Sequence, residues 1–106
     1  MADWITIETI PTVTVEEFAR QHGLTLRVSE RRTSETSPMR FFARFTGAEV
    51  MENGTLASTY GDGNTPDAAI RDYATRIALK RLAIGAYTPN RREVDVPRLS
   101  HTADAD

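Results

Sequence analysis

The pattern of apolar and polar residues is clearest between positions 65 and 80, where it has the period of an α-helix. One apolar stripe recurs at three- and four-residue spacing and consists of Ile70, Tyr73, Ala74, Ile77 and Ala78. Thr65 is a favourable N-cap, and Pro66 occupies the first helical position, where a missing N–H costs nothing. We therefore predict a helix that ends near Lys80. The alternative is a helix that continues to Ile84 before a glycine stops it.

A shorter helical pattern begins at Thr14, near the start of the chain. Thr14 and Glu17 have the spacing of a capping box, in which each residue satisfies a backbone N–H of the other. The apolar face of this helix consists of Val15, Phe18 and Ala19. Gly23 then follows in the position of a left-handed helix cap, so we expect the helix to stop there.

Segments with a period of two, typical of half-buried strands, lie between these helices. They run from Leu24 to Ser29, from Met39 to Thr46 and from Thr55 to Tyr60. Asn53 and Gly54 form a strong hairpin signal between the last two. Short extra strands are predicted near both termini and after the second helix, over residues 5–8, 82–87 and 93–97.

The resulting order is helix, three strands, helix. We predict an α+β fold in which a three-stranded antiparallel sheet packs on two helices (α-β-β-β-α), with short extra strands at the termini. A chain of 106 residues is long enough for one modest core, and we place a single domain over residues 1–97. Residues 98–106 are small, polar and acidic, which predicts a disordered tail.

Composition excludes several classes of function. The net charge is −2 and the isoelectric point about 5.7, which does not favour non-specific nucleic-acid binding. There is no cysteine, and therefore no disulfide framework, thiolate metal site or thiol nucleophile. No apolar run approaches the length of a membrane span, and the acidic N-terminus lacks a signal-peptide pattern. We expect a cytoplasmic protein that does not contact the membrane.

The candidate catalytic and metal-binding residues do not have the spacing that such sites require. Asp62, Asn64 and Asp67 suggest a calcium loop, but the twelfth position of such a loop requires a carboxylate and is occupied by Tyr73. The two histidines are far apart in the sequence, and no serine lies in a nucleophile motif. We therefore predict no metal, no cofactor and no enzymatic activity.

The order of elements, with a glycine-rich segment before the second helix, resembles the double-stranded-RNA-binding domain. That family carries the pattern G-x-G-x-S-K-K-x-A-K-x-x-A-A here, and its structural positions are matched by Gly61, Gly63, Thr65, Ala69 and Ala74. The lysines that clamp phosphates in the family fall on Pro66, Asp67 and Ile70. The resemblance, over residues 14–80, thus implies the fold without the family's RNA-binding surface.

Two other stretches resemble, in style, small accessory proteins of bacteriophages and prophages. They are VEEFARQHGLTLRV and TPDAAIRDYATRIALKRL. The resemblance implies a phage-encoded protein in the host cytoplasm, one that antagonises a host system such as a bacterial immune complex.

The remaining candidate surface is a face of the predicted sheet on which arginines surround an aromatic residue. Its residues are Arg27, Arg31, Arg32, Arg40, Phe42 and Arg44. Arginine beside an aromatic ring is typical of protein interfaces, which predicts a protein partner. The resemblance to phage accessory proteins implies that this partner is a host protein or complex. The alternatives are nucleic-acid binding by these arginines, a solvated sheet face without a ligand, and homodimerisation through an exposed strand edge.

Overall fold

The computed structural model describes residues 12–31 and 40–101. In that part of the chain two helices and nine strands follow one another in this order: β1 (Thr12–Thr14), α1 (Val15–His22), β2 (Leu26–Glu30), β3 (Phe41–Phe45), β4 (Ala48–Glu52), β5 (Thr55–Ala57), β6 (Gly61–Gly63), α2 (Pro66–Ile77), β7 (Arg81–Ile84), β8 (Arg92–Asp95) and β9 (Arg98–Ser100). None of the helices in these residues is long and apolar enough to cross a membrane.

Both helices begin where the capping signals predict. The Thr14 hydroxyl accepts a hydrogen bond from the Glu17 N–H at 3.0 Å, and the Thr65 hydroxyl accepts one from the Ala68 N–H at 3.1 Å. Gly23 ends α1 in the left-handed conformation, with φ of 65°. These local predictions are confirmed because the capping interactions involve only neighbouring residues.

Helix α2 ends at Ile77, before either of the two predicted ends. Leu79 has φ of 63°, an unusual left-handed conformation for leucine, and its N–H donates to the Val96 carbonyl at 3.1 Å. The backbone at Leu79 and Lys80 therefore hydrogen-bonds to Val96, just after β8, and does not form another helical turn. The alternative of a helix reaching Ile84 is wrong, because residues 81–84 form β7.

The strands form three sheets. β2, β3 and β6 make an antiparallel sheet in the order β2-β3-β6, and a second antiparallel sheet has the order β5-β4-β7-β8. β1 and β9 form a parallel pair. The α+β class is confirmed, but five strands of the described residues, rather than the predicted three, lie between the two helices. The turn at Thr46–Gly47, where Gly47 has φ of 76°, separates β3 from β4 and sends them into different sheets.

The glycine-rich segment Gly61–Gly63, predicted as a turn, is the strand β6 and packs directly on α2. A Cβ atom on Gly61 would lie 2.2 Å from the Tyr73 backbone nitrogen. A Cβ atom on Gly63 would lie 2.4 Å from the Ala69 backbone nitrogen. The two glycines are therefore required for close contact between backbones.

The hydrophobic core lies between the helices and the two larger sheets. The predicted stripe of α2 supplies buried Ile70, Tyr73, Ala74 and Ile77, and α1 supplies Val15, Phe18 and Ala19. The Tyr73 hydroxyl accepts a hydrogen bond from the Phe45 N–H at 3.1 Å. Burial raises the pKa of Tyr73 above its ordinary value, so the phenol stays protonated in the neutral range.

The chain termini depart from the prediction in one respect. β8 lies where an extra strand was predicted over residues 93–97. Residues 98–100, placed in a disordered tail by the sequence, instead form β9, which pairs in parallel with β1. The sequence of β9 gives no indication that it pairs with β1, because β1 lies near the other end of the chain. Residues 102–106 and the predicted strand over 5–8 lie outside the described residues.

The contact between β6 and α2 gives a direct test. Gly61→Ala should lower the free energy of unfolding by at least about 3 kcal/mol, because the new methyl group must push the helix off the strand. Gly47→Ala is the matched control: a Cβ there meets open space, so only the left-handed backbone conformation opposes it, at about 1–2 kcal/mol. Urea unfolding measures both changes. Equal losses for the two variants would contradict the close-packing explanation.

Candidate functional site

The sheet β2-β3-β6 has one face on the core and one open face. Strand register places Arg27 opposite Arg44 and Ser29 opposite Phe42, all on the open face. With the turn after β3, these side chains line a concavity of about 420 Å³, formed by Arg27, Ser29, Phe42, Arg44, Thr46 and Gly47. This volume lies at the lower end of the range for ligand-binding pockets.

Beside the concavity, two aromatic rings and one guanidinium group form a cluster. The rings of Phe42 and Tyr60 meet edge to face with centroids 6.0 Å apart. The Arg31 guanidinium carbon lies 5.1 Å from the Phe42 centroid and 5.5 Å from the Tyr60 centroid. Arg31 is also 2.5 Å from an Asp62 carboxylate oxygen, which fixes the cation over both rings.

Carboxylates neutralise most of the arginines on and around this face. Arg40 donates to Glu30 at 2.9 Å. Arg44 donates through Nη2 to Glu49 at 3.2 Å and to the Ala48 carbonyl at 3.4 Å. Glu49 is itself held by the Ser58 hydroxyl, which donates to its second oxygen at 2.9 Å. The guanidinium of Arg44 is therefore positioned by a short network.

Arg27 differs from its neighbours. Within residues 12–31 and 40–101, its side chain has neither an ion-pair partner nor a hydrogen-bond partner. It is an exposed side chain at the rim of the concavity. The face therefore carries one positive charge that no described carboxylate compensates.

The structure brings together four of the six residues predicted for this surface: Arg27, Arg31, Phe42 and Arg44. Arg40 does not line the concavity. Its guanidinium carbon lies 6.0 Å from the ring centroid of Phe41. Arg32 lies outside the described residues.

Three contributing residues, Tyr60, Asp62 and Glu49, were not predicted. Tyr60 was assigned by alternation to the third strand, and its contact with Phe42 depends on how β6 pairs with β3. Glu49 reaches the open face from a different sheet. The sequence carries no local signal for either contact, since both arise from tertiary packing. The charge of Asp62 was noted, but only as part of a metal hypothesis.

A second polar cluster surrounds His101, which the sequence placed in the tail. His101 is buried, with 8% of its surface exposed. Its Nδ1 lies 2.5 Å from Glu16 at the start of α1, and its Nε2 lies 2.9 Å from Asp67 at the start of α2. Burial by itself lowers the pKa of His101, but the two carboxylates outweigh it and raise that pKa above 6.5. The residue therefore links β9 to both helices through these two carboxylates.

The His101 cluster engages both nitrogens of the imidazole ring. Each nitrogen lies within hydrogen-bond distance of a carboxylate, Nδ1 of Glu16 and Nε2 of Asp67. Across the described ranges, no three His, Asp or Glu side chains form a group that could hold a metal ion. At the positions of the RNA-binding lysines, Asp67 is bound to His101 and Ile70 belongs to the core.

Comparison of the chain with protein-family models, with curated proteins and with solved structures finds no match. Function is therefore inferred from the two clusters and the concavity described above.

The His101 cluster predicts a specific dependence of stability on pH. Because the folded-state pKa is raised, the stabilisation is fully present below about pH 6.5 and is lost as the pH rises through the raised value. His101→Gln should lower the free energy of unfolding by about 1–2 kcal/mol at pH 6 and by less at pH 9. Urea unfolding across this range measures the difference.

His22→Gln is the matched control, because His22 is the only other histidine and makes no described ion pair. Its ring packs against Phe18, with centroids 4.5 Å apart. A loss of stability in His101→Gln that is the same at pH 6 and pH 9 would show that the histidine contributes by packing alone.

Proposed function

We propose that this chain is a non-enzymatic protein-binding module that contacts its partner through the open face of the sheet β2-β3-β6. The observation that carries the proposal is the cluster of Phe42, Tyr60 and Arg31 at the edge of the concavity. Aromatic and arginine side chains are the types enriched at the energetic centres of protein interfaces. Here they are already fixed by mutual contact, which reduces the entropy that binding must overcome.

The distribution of charge favours a protein over a nucleic acid as partner. Of the four described arginines Arg27, Arg31, Arg40 and Arg44, three face a carboxylate within 3.2 Å. A phosphate backbone would meet those carboxylates as well as the arginines, and would release few counterions on binding. A protein surface presents isolated charges between apolar groups, which matches a face with one uncompensated cation beside two rings.

The proposal extends to a host-directed role in which a phage-encoded protein occupies a site on a bacterial immune complex in the host cytoplasm. This extension is supported by the likeness in sequence style to phage accessory proteins. The proposed absence of catalysis is supported by the engagement of both His101 nitrogens. The fold resemblance to the double-stranded-RNA-binding domain stays a prediction. Ile70 in the core and Asp67 on His101 support the absence of the family's RNA-binding surface.

Affinity capture with a paired variant tests the proposal. The wild-type chain, immobilised and exposed to bacterial lysate, should retain a stoichiometric partner. Phe42→Ala combined with Arg44→Gln should reduce its recovery at least about tenfold, because interface centres cost 2 kcal/mol or more when truncated. Quantitative mass spectrometry of the retained proteins measures the change.

Tyr87→Ser is the matched control, because Tyr87 is an aromatic residue with 83% of its surface exposed and does not line the concavity. It should retain the partner in full. Thermal unfolding of each variant verifies that the chain is folded at the capture temperature. Retention of every partner by the folded Phe42–Arg44 variant would show that the open face is not the binding surface.

Nucleic-acid binding is the second candidate, and only the uncompensated charge of Arg27 favours it. It predicts salt-sensitive binding of single- or double-stranded oligonucleotides. A gel-shift titration at low salt that gives no shift with either probe removes this candidate.

A further inference from the structure

We infer that the Arg27–Arg44 end of the concavity is a carboxylate subsite that receives one aspartate, glutamate or C-terminal carboxylate from an extended, otherwise apolar segment of the partner protein. This inference rests on the proposed function and names the chemistry of the partner. It is carried by the register of two strands, by the different environments of the two guanidinium groups and by the aromatic ring beside Arg44.

The first step is the opposition of two like charges. Arg27 on β2 and Arg44 on β3 are direct partners in the antiparallel register. Side chains in that relation have Cβ atoms about 4.5–5.5 Å apart, and like charges there are destabilising. An anion bound between the two guanidinium groups would convert this repulsion into attraction. A bound carboxylate would therefore stabilise this pair of arginines.

The second step is that the two arginines are compensated unequally. The contacts of Arg44 with Glu49 and with the Ala48 carbonyl both use Nη2, which orients the group and leaves its other donors for a ligand. Arg27 has no described partner at all. Arg44 thus presents a guanidinium group in a fixed orientation, and Arg27 presents one that can adjust. Both groups carry paired N–H donors in one plane. This suits a carboxylate, because a carboxylate accepts hydrogen bonds from two donors at once.

The third step concerns what surrounds the charge. Phe42 lies two residues from Arg44 on the same face, and Ser29 lies opposite Phe42. The concavity thus combines two cations, the two hydroxyl residues Ser29 and Thr46 and one aromatic ring within about 420 Å³. This space admits one or two residues of an extended chain, with the carboxylate at the arginine end and a neighbouring apolar side chain on Phe42.

The surrounding carboxylates restrict the ligand to a single charge at this position. Glu49 lies on Arg44, and Asp62 lies opposite Phe42 in the register with β6. A polyanion with charges at every step would be repelled by these two groups. A single carboxylate between apolar neighbours would instead meet Arg27, which no described carboxylate compensates, and the remaining donors of Arg44. The observations thus favour a peptide segment with one acidic residue over a phosphate backbone.

An NMR titration tests the subsite with defined probes. The full chain, labelled with ¹⁵N, is titrated with a blocked pentapeptide that has one central glutamate between leucines and glycines. The matched probe carries glutamine in place of glutamate. The glutamate peptide should shift the amide signals of residues 27–29 and 42–47, and the glutamine peptide should bind about tenfold more weakly, as expected for the loss of a charge-assisted pair.

Arg27→Gln should weaken the glutamate peptide by about tenfold and leave the glutamine peptide unchanged. Arg40→Gln is the matched control, because Arg40 is paired with Glu30 outside the concavity, and it should bind like the wild type. Removing Arg27 relieves its repulsion with Arg44, so the midpoint of thermal unfolding should not fall in Arg27→Gln. A folded variant with weaker binding therefore reports on the subsite.

The inference would be overturned if both peptides bind equally or if Arg27→Gln has no effect. It would also be overturned if an oligothymidylate probe shifts these signals and the glutamate peptide does not. Absence of shifts with the glutamate peptide would also overturn it. In that case the proposed protein-binding role would still hold if the capture of a partner depends on Phe42 and Arg44. If the capture of a partner does not depend on Phe42 and Arg44, the proposed function itself is wrong.

Discussion

The close approach of α2 to β6 is the contact on which the rest of the structure depends. Gly61 and Gly63 have no side chains, so the strand lies directly against the helix backbone. The Asp72 carboxylate of α2 accepts a hydrogen bond from the Asp62 N–H at 2.8 Å and thereby holds the outer edge of β6. This position of β6 brings Asp62 onto the open face, where it pairs with Arg31. The geometry of the open face thus follows from a backbone contact on the opposite side of the sheet.

The same helix connects the open face to the core and to the chain terminus. Tyr73 of α2 accepts a hydrogen bond from Phe45 at the end of β3, the strand that carries Phe42 and Arg44. At the other end of α2, Asp67 binds His101. A rigid support of this kind is what a preformed binding surface requires, since side chains on a mobile strand would lose more entropy on binding.

Most of the charge on the open face is compensated by neighbouring carboxylates. Arg31 faces Asp62, and Arg44 faces Glu49. Paired charges of this kind discourage wrong partners at least as much as they strengthen the right one. The face therefore differs from the evenly basic surface that nucleic-acid binding requires, although its arginine content alone resembles one.

The sequence by itself determined the two helix starts, the helical faces and the α+β class, because caps and periodicity depend on residues a few positions apart. It also placed Phe42 and Arg44 on one face of their strand through the period of two. Only the tertiary structure decided that residues 61–63 form a strand, that the chain near 98 pairs with β1, and that Glu49 and Tyr60 complete the open face. These features depend on partners distant in the chain, and hydrophobic pattern records which residues are buried but not which strands meet.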